Sequence, residues 1–79
     1  MILRKEEIKM SDYKHRMIDE YKQLKERANK LGTMISHYYA GTLDFKPTCP
    51  IELLETQYCT MCAYLKILEQ RAEIEDIEL

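Results

Sequence analysis

The sequence predicts an all-α protein, an antiparallel two-helix hairpin with a short N-terminal helix or arm, which assembles into a helical oligomer. Apolar residues recur in alternating steps of three and four over two long segments, which is the spacing of one helix face. A single short segment with glycine and proline separates them. Size is the third observation, because a chain of 79 residues buries only about 60% of its unfolded surface and usually needs additional stabilisation.

The first helix is predicted over residues 12–40. Ser11 or Asp12 can serve as its N-cap, because a side-chain oxygen accepts one of the unpaired backbone N–H groups. Gly41 stands where a glycine commonly ends a helix in the left-handed conformation. Residues 2–10 can form a short separate helix with an apolar side. The apolar stripe of the first helix contains Met17, Tyr21, Leu24, Ala28, Leu31, Ile35 and Tyr38.

Residues 41–49 are predicted to form the only loop of the chain. We expect Leu43 and Phe45 to cover the closed end of the hairpin, because they are the apolar residues of this loop. The loop and its two helices form one domain over residues 1–79.

The second helix is predicted over residues 50–74. Thr48 is expected to cap it, and Pro50 is tolerated in the first turn because its missing N–H is not needed there. The acidic tail, residues 73–79, is expected to fray. The apolar stripe of this helix contains Ile51, Leu54, Tyr58, Met61, Leu65, Leu68 and Ala72.

The apolar stripes are wider than two helices can bury against each other. In the second helix, apolar or aromatic side chains cover nearly two faces. Because no other long helix is predicted, the simplest additional partner is a second copy of the chain, in a homo-oligomer. Dimers, four-helix bundles and closed rings are alternatives that the sequence leaves open.

Composition narrows the class of protein. The chain is 46% hydrophobic and 33% charged, which is typical of a folded domain. No apolar run reaches the roughly 18 residues of a membrane span and no secretory signal is present, so we expect a cytoplasmic protein without membrane association. Residues 1–30 carry nine basic and six acidic side chains, against three and eight in residues 31–79. This asymmetry favours subunit docking over DNA or RNA binding.

No catalytic centre is expected. Cys59 and Cys62 lie one helical turn apart in an apolar helix, so we interpret them as small core residues. A zinc site would need two further ligands, and metal-binding pairs of this spacing usually lie on a turn. His15 and His37 are 22 positions apart and have no suitable nucleophile nearby. The sequence therefore predicts a protein that is not an enzyme and needs neither a metal nor another cofactor.

Tyrosines and arginines are predicted to meet at the open end of the hairpin. Antiparallel pairing around the loop places Arg16 near Arg71, and Tyr21 near Tyr64. A tyrosine ring can stack on a base, while arginine binds a phosphate through two hydrogen bonds. Joined across a symmetric interface, these residues are candidates for binding a small anionic nucleotide. The alternative is that the tyrosines pack between the helices and the arginines pair with nearby carboxylates.

Two segments resemble a family of small helical-hairpin proteins from crAss-like and related bacteriophages. The first segment is RMIDEYKQL at residues 16–24, and the second begins LLETQY at residues 53–58. In the second segment Gln57, Tyr64 and Arg71 also match, and helix packing alone does not require these three residue types. Because they recur every seven residues, they share one helix face.

The resemblance implies a phage origin and expression in the cytoplasm of a bacterial host, and it implies no particular activity. Small helical phage proteins that form rings include sponges, which bind the nucleotide second messengers of bacterial immune systems. By this similarity in architecture, our leading hypothesis is a non-catalytic oligomeric sponge with an anti-defence function. The alternative is a helical interaction module that binds and inhibits a host or phage protein. The residues expected around a ligand are Arg16, Tyr21, Gln57, Tyr64 and Arg71.

Overall fold

The computed structural model describes residues 2–79, with side chains from Asp12 onward. Two helices, α1 (Ile2–Ala40) and α2 (Ile51–Ile74), pack against each other, and the described residues contain no strand. The predicted all-α hairpin is therefore confirmed. The predicted apolar side of residues 2–10 lies outside the described side chains.

α1 has no break at the predicted N-cap. The helix runs through Ser11 and Asp12 from Ile2, so the prediction that either residue caps it was wrong. Residues 2–10, predicted as a short separate helix or arm, instead continue α1. Serine and aspartate inside a helix cost only a few tenths of a kcal/mol relative to the best helix formers, so favourable neighbours on both sides carry the helix through them.

α1 ends at a left-handed glycine. Gly41 has a φ of +75°, its N–H donates to the carbonyl of Tyr38, and the N–H of Thr42 donates to the carbonyl of His37 at 2.9 Å. This is the Schellman arrangement, in which two otherwise unpaired carbonyls of the last turn accept hydrogen bonds. The predicted glycine cap is confirmed.

The end of α2 uses the same arrangement, which contradicts the predicted fraying of residues 73–79. Asp76 takes the left-handed position with a φ of 57°, and the N–H of Ile77 donates to the carbonyl of Ala72 at 2.8 Å. Aspartate is among the few non-glycine residues that occupy this region readily. The turn directs Ile77 back onto the hairpin, where its side chain is only 8% exposed.

α2 begins after a proline and has no side-chain cap. Pro50, with φ −57° and ψ 141°, occupies the N-cap position, and its carbonyl accepts hydrogen bonds from the N–H groups of Leu53 and Leu54. The prediction that Thr48 caps α2 was wrong, because the extended proline separates Thr48 from the first helical turn.

The loop does not cover the closed end of the hairpin. Phe45 is 54% exposed, so the prediction that it packs over this end was wrong, and Leu43 is only partly buried. The helices are instead linked here by Tyr39, whose hydroxyl donates to the carboxylate of Glu55 on α2.

The core lies toward the open end of the hairpin. Leu68 is completely buried, and the hydroxyl of Tyr21 in the same cluster donates to Glu69 at 2.7 Å. That hydrogen bond, helped by burial, raises the pKa of Tyr21 above its ordinary value. The alignment of the helices is therefore set by apolar contacts together with the hydrogen bond from Tyr21 to Glu69. The buried cluster consists of Met17, Tyr21, Leu68, Ala72 and Ile77.

Cys59 lies outside the core. Its side chain is exposed, whereas that of Cys62 is partly buried, and both are free thiols. The prediction that Cys59 is a core residue was wrong, because this side of α2 points away from α1. Among the described residues, no group of three or more histidine, cysteine, aspartate or glutamate side chains could hold a metal ion.

Replacing Leu68 by alanine should lower the free energy of unfolding by about 2–5 kcal/mol, because a completely buried leucine loses its contacts and leaves a cavity. Urea unfolding followed by circular dichroism measures the loss. Leu79→Ala is the control, since Leu79 is 41% exposed and lies beyond α2. Equal losses in the two variants would contradict this core.

Gly32 allows a close approach of the helices, because a Cβ atom there would lie 2.8 Å from Cε1 of Tyr58. Gly32→Ala should therefore gain less than the roughly 1 kcal/mol that alanine gives over glycine in a helix. In a Tyr58→Ala background the full gain should appear. A double-mutant cycle in urea measures this coupling, and equal gains in both backgrounds would show that the ring does not constrain Gly32.

Candidate functional site

A groove of about 340 Å³ runs along one side of the hairpin. Six of its residues come from successive turns of α1, and Tyr64 supplies the wall from α2. Its size lies at the lower end of the range for small-molecule sites in proteins. The groove is lined by Arg16, Asp19, Glu20, Gln23, Leu24, Arg27 and Tyr64.

The heptad spacing of α1 explains how these side chains share one side. Arg16 and Gln23 are seven residues apart, as are Glu20 and Arg27, so each pair repeats one helix position. The two positions lie next to each other around α1, on the flank of its buried stripe. Polar groups therefore line the groove, while Leu24 contributes an apolar surface from the stripe itself.

Tyr64 is held in place from across the groove. Its hydroxyl donates a hydrogen bond to the carboxylate of Glu20. This bond raises the pKa of Tyr64 above its ordinary value, burial and the charge of Glu20 act in the same direction, and the charge of Arg71 opposes them. The tyrosine is therefore neutral at physiological pH and its ring is fixed against α1.

The charges of the groove are mixed. Two guanidinium groups and two carboxylates line it, so its formal charge is zero. Arg16 pairs with Asp12 at 3.0 Å, and both side chains of this pair are mostly exposed. Within the described part of the chain, Arg27 forms no salt bridge. Both arginines can therefore be recruited by an incoming anion, since exposed ion pairs contribute little to stability.

The structure brings together two of the five residues predicted around a ligand. Arg16 and Tyr64 line the groove. Tyr21 lies in the core with its hydroxyl on Glu69. Glu69 follows Tyr64 by five residues, which places the two about 140° apart around α2. Tyr21 therefore contacts the side of α2 that carries Glu69, away from Tyr64 and the groove.

Arg71 lies beyond one end of the groove. Its guanidinium donates to the hydroxyl of Tyr13, lies 5.8 Å from the centre of that ring, and pairs with Glu75 at 3.3 Å. The hydrogen bond to Glu75 raises the pKa of Arg71 above its ordinary value. The predicted contact between Arg71 and α1 is present, but it is made with Tyr13.

Gln57 lies at the opposite end. It is exposed and precedes Tyr64 by seven residues and Arg71 by fourteen, which are roughly 10 Å and 21 Å along the axis of α2. One copy of the chain therefore does not gather Gln57 and Arg71 around one point.

Arg27 and Gln23 were not predicted as site residues. Their spacing from Glu20 and Arg16 was visible in the sequence, since a repeat of seven along α1 marks one helix face. Which flank of α1 meets Tyr64 depends on the rotation of the helices about their axes, and that rotation is set by the core.

A second groove, of about 440 Å³, lies where the helices approach at Gly32. Its lining combines small polar groups with the ring of Tyr58 and contains no charged side chain. An anionic ligand therefore finds no charge complement there, and we consider the groove at Tyr64 the better candidate.

Comparison with known proteins identifies the family of the chain. A family model described as Sequestin matches residues 11–74, which include the groove, the loop and all of α2. The chain therefore belongs to the Sequestin family. No curated protein and no solved structure matches it.

The name of the family suggests a sequestering function and so implies a binding role without catalysis. This agrees with the binding role predicted from the sequence. The phage origin stays a prediction. Neither described helix has a stretch long and apolar enough to cross a bilayer.

Glu20→Gln should lower the pKa of Tyr64 toward its ordinary value, because the charged acceptor of its hydrogen bond is removed. A raised tyrosine pKa means that this bond stabilises the fold fully below about pH 10. The contribution is then lost as the pH rises through the pKa of the folded protein. Alkaline NMR titration of labelled tyrosine measures the change.

Tyr39 is the internal control for this titration, since Glu55 raises its pKa to about 12 and the substitution at Glu20 leaves that pair intact. An unchanged Tyr64 titration in the variant would show that the hydrogen bond to Glu20 does not form in solution.

Proposed function

We propose that this member of the Sequestin family is a phage anti-defence protein that sequesters a bacterial immune nucleotide as a non-catalytic, oligomeric sponge. The observation that carries the proposal is the groove between the helices, where two arginines, two carboxylates and a tyrosine meet. The phosphates, the ribose hydroxyls and the base of a nucleotide each find a matching group among them.

The arginines suit a ligand with two phosphate groups. Arg16 and Arg27 are eleven residues apart, or roughly 16 Å along α1, so they stand at the two ends of the groove. Each side chain extends several ångströms, and a planar guanidinium donates two parallel hydrogen bonds to phosphate oxygens. A cyclic dinucleotide or an ADP-ribose derivative has two phosphates to offer.

The rest of the groove suits a nucleoside. The ring of Tyr64 provides a surface on which a base can stack, and such stacking is typically worth about 1–3 kcal/mol per base. Asp19 and Glu20 are acceptors for ribose hydroxyls, which is how acidic side chains bind ribose in dinucleotide sites. Gln23 can donate to or accept from a base edge.

The groove supports binding without conversion. Its lining contains no serine, cysteine or histidine that could act as a nucleophile or as a neutral-pH base. Together with the family name, this favours a sponge over an enzyme that degrades the messenger.

A second candidate function is docking of a host or phage protein. It is favoured by large apolar side chains on the outside of α2, where Leu53, Ile67 and Ile74 are 58%, 51% and 85% exposed. Recovery of one stoichiometric protein partner from host lysate, without any nucleotide effect, would support this alternative.

Nucleotide binding should raise the melting temperature of the protein. At a hundredfold excess over Kd, a ligand adds about 2.7 kcal/mol of stability. For a domain of this size each kcal/mol corresponds to roughly 4–8 °C, so the shift should exceed about 10 °C. The compounds to test are cyclic di-AMP, cyclic di-GMP, ADP-ribose and cyclic ADP-ribose. Differential scanning fluorimetry measures the melting temperature with each of them.

Arg27→Ala and Tyr64→Ala should each remove most of the shift. Lys30→Ala is the control, because Lys30 lies three residues beyond Arg27, pairs with Glu26 and stays outside the groove. The proposed site would be ruled out if none of the four compounds shifted the melting temperature. It would also be ruled out if Lys30→Ala and Arg27→Ala reduced the shift equally.

A further inference from the structure

The side of α2 that faces away from α1 has a regular pattern of its own. Starting from Leu53, its residues recur in alternating steps of three and four, like the buried stripe on the other side. We call this the outer face. It consists of Leu53, Thr56, Thr60, Ala63, Ile67 and Ile74, with Gln70 at the remaining position.

The outer face is exposed and carries no charge. All seven of its residues are exposed, and none is acidic or basic, although α2 has six charged residues at other positions. A helix face that remains in water usually carries charged side chains. In the part of the chain that the structure describes, no other segment covers it, so the face is available to a partner.

The spacing of the outer face fits a second copy running in the opposite direction. In an antiparallel pair of such helices, the two alternating positions pack against each other across the interface. With the two-fold axis beside residue 65, Ile67 of each copy meets Ala63 of the other, and Ile74 meets Thr56. Each large side chain then faces a small one, which is how close-packed helix layers interdigitate.

The area is sufficient for a dimer. The paired segment, residues 56–74, is about 28 Å long at 1.5 Å per residue. A strip of that length across the 20 Å width of the hairpin covers about 600 Å² on each copy. The total of about 1,200 Å² is at the lower limit of specific protein interfaces.

This pairing would also complete the groove. Gln57, Tyr64 and Arg71 lie on the flank between the outer face and α1, and antiparallel pairing brings this flank against the same flank of the second copy. The two Tyr64 side chains then lie next to the axis, and Arg71 of each copy lies beside Gln57 of the other, near the Arg27 end of that groove.

We propose that two copies dock antiparallel through the outer face, and that each copy supplies Arg71 to the nucleotide groove of the other. The dimer stands on the outer face alone, whereas the role of Arg71 rests on the proposed function. Within one chain, Gln57, Tyr64 and Arg71 span about 21 Å of helix. In the dimer they form part of one two-fold symmetric site.

Two variants with opposite charges test the interface. Ile67→Glu and Ala63→Lys should each be monomeric alone, because each buries an unpaired charge in the dimer. Mixed in equal amounts they should form a heterodimer, in which the introduced glutamate faces the introduced lysine while the other pair stays native. Native mass spectrometry measures the masses. Circular dichroism of each variant shows whether it remains helical.

Thr60→Lys mixed with Ile67→Glu is the matched control, because residue 60 faces residue 70 in this register. Heterodimers in both mixtures would overturn the register, and dimers of either single variant would overturn the interface. If a single variant loses its helices, recovery of helix only in the intended mixture supports the interface, and no recovery overturns it.

Complementation tests the contribution of Arg71. Arg71→Ala is added to the Ile67→Glu chain and Arg27→Ala to the Ala63→Lys chain, so that one groove of the heterodimer has its own Arg27 and an intact Arg71 from the other copy. Isothermal titration, with the panel compound that shifts the wild type most, should then show binding at half of the grooves.

No binding by this heterodimer, alongside binding by the heterodimer without the arginine changes, would show that Arg71 serves its own groove. When both arginine changes are placed on the same chain of the heterodimer, neither groove should bind. Binding at half of the grooves in that case would show that Arg71 does not serve the groove of the other copy. If the wild type binds none of the four compounds, the proposed function and the role of Arg71 both fail. The mass measurements still decide the interface in that case.

Discussion

The packing of Leu68 against α1 fixes the geometry on which every other feature depends. Leu68 is completely buried, and Met17, Tyr21, Ala72 and Ile77 surround it. These contacts set both the register of the helices and their rotation about their own axes. The register brings Tyr64 level with the polar flank of α1, and the rotation turns the outer face of α2 away from the hairpin. One small core thus positions the groove and leaves the second apolar face without a partner inside the described chain.

The helices and their pairing could be predicted because hydrophobic spacing reports which face of a helix is buried, and that signal extends over many turns. Helix ends depend on single residues and are harder to predict. Gly41 was recognisable, since glycine has few competitors for a left-handed cap. The turn at Asp76 was not, because aspartate occurs in many other settings. Its consequence, the burial of Ile77, was missed for the same reason. Ser11 and Asp12 have good capping chemistry, but a chain that is helical on both sides does not need it.

The candidate site was partly predictable. Arg16 and Tyr64 were identified because antiparallel pairing places them at the same end of the hairpin. Arg27 was missed because the flank it occupies depends on helix rotation, which the sequence pattern does not specify to within one residue position. Tyr21 and Tyr64 are equivalent by residue type and by level along the hairpin. Their hydroxyls nevertheless reach carboxylates on opposite sides of α2, Glu69 and Glu20 respectively.

A protein that sequesters a small anion needs a pocket that encloses it. The groove on the flank of a two-helix hairpin is open on one side. The proposed second copy against the outer face would give that flank an opposite wall, which would link the stability of the fold to the completeness of the site. Sedimentation equilibrium of the wild-type protein, repeated over a hundredfold dilution, tests this link most directly. We expect a mass of about 19 kDa, twice that of the 9.5 kDa chain, and a melting temperature that falls with dilution. A 9.5 kDa species that melts at the same temperature at every concentration would contradict it.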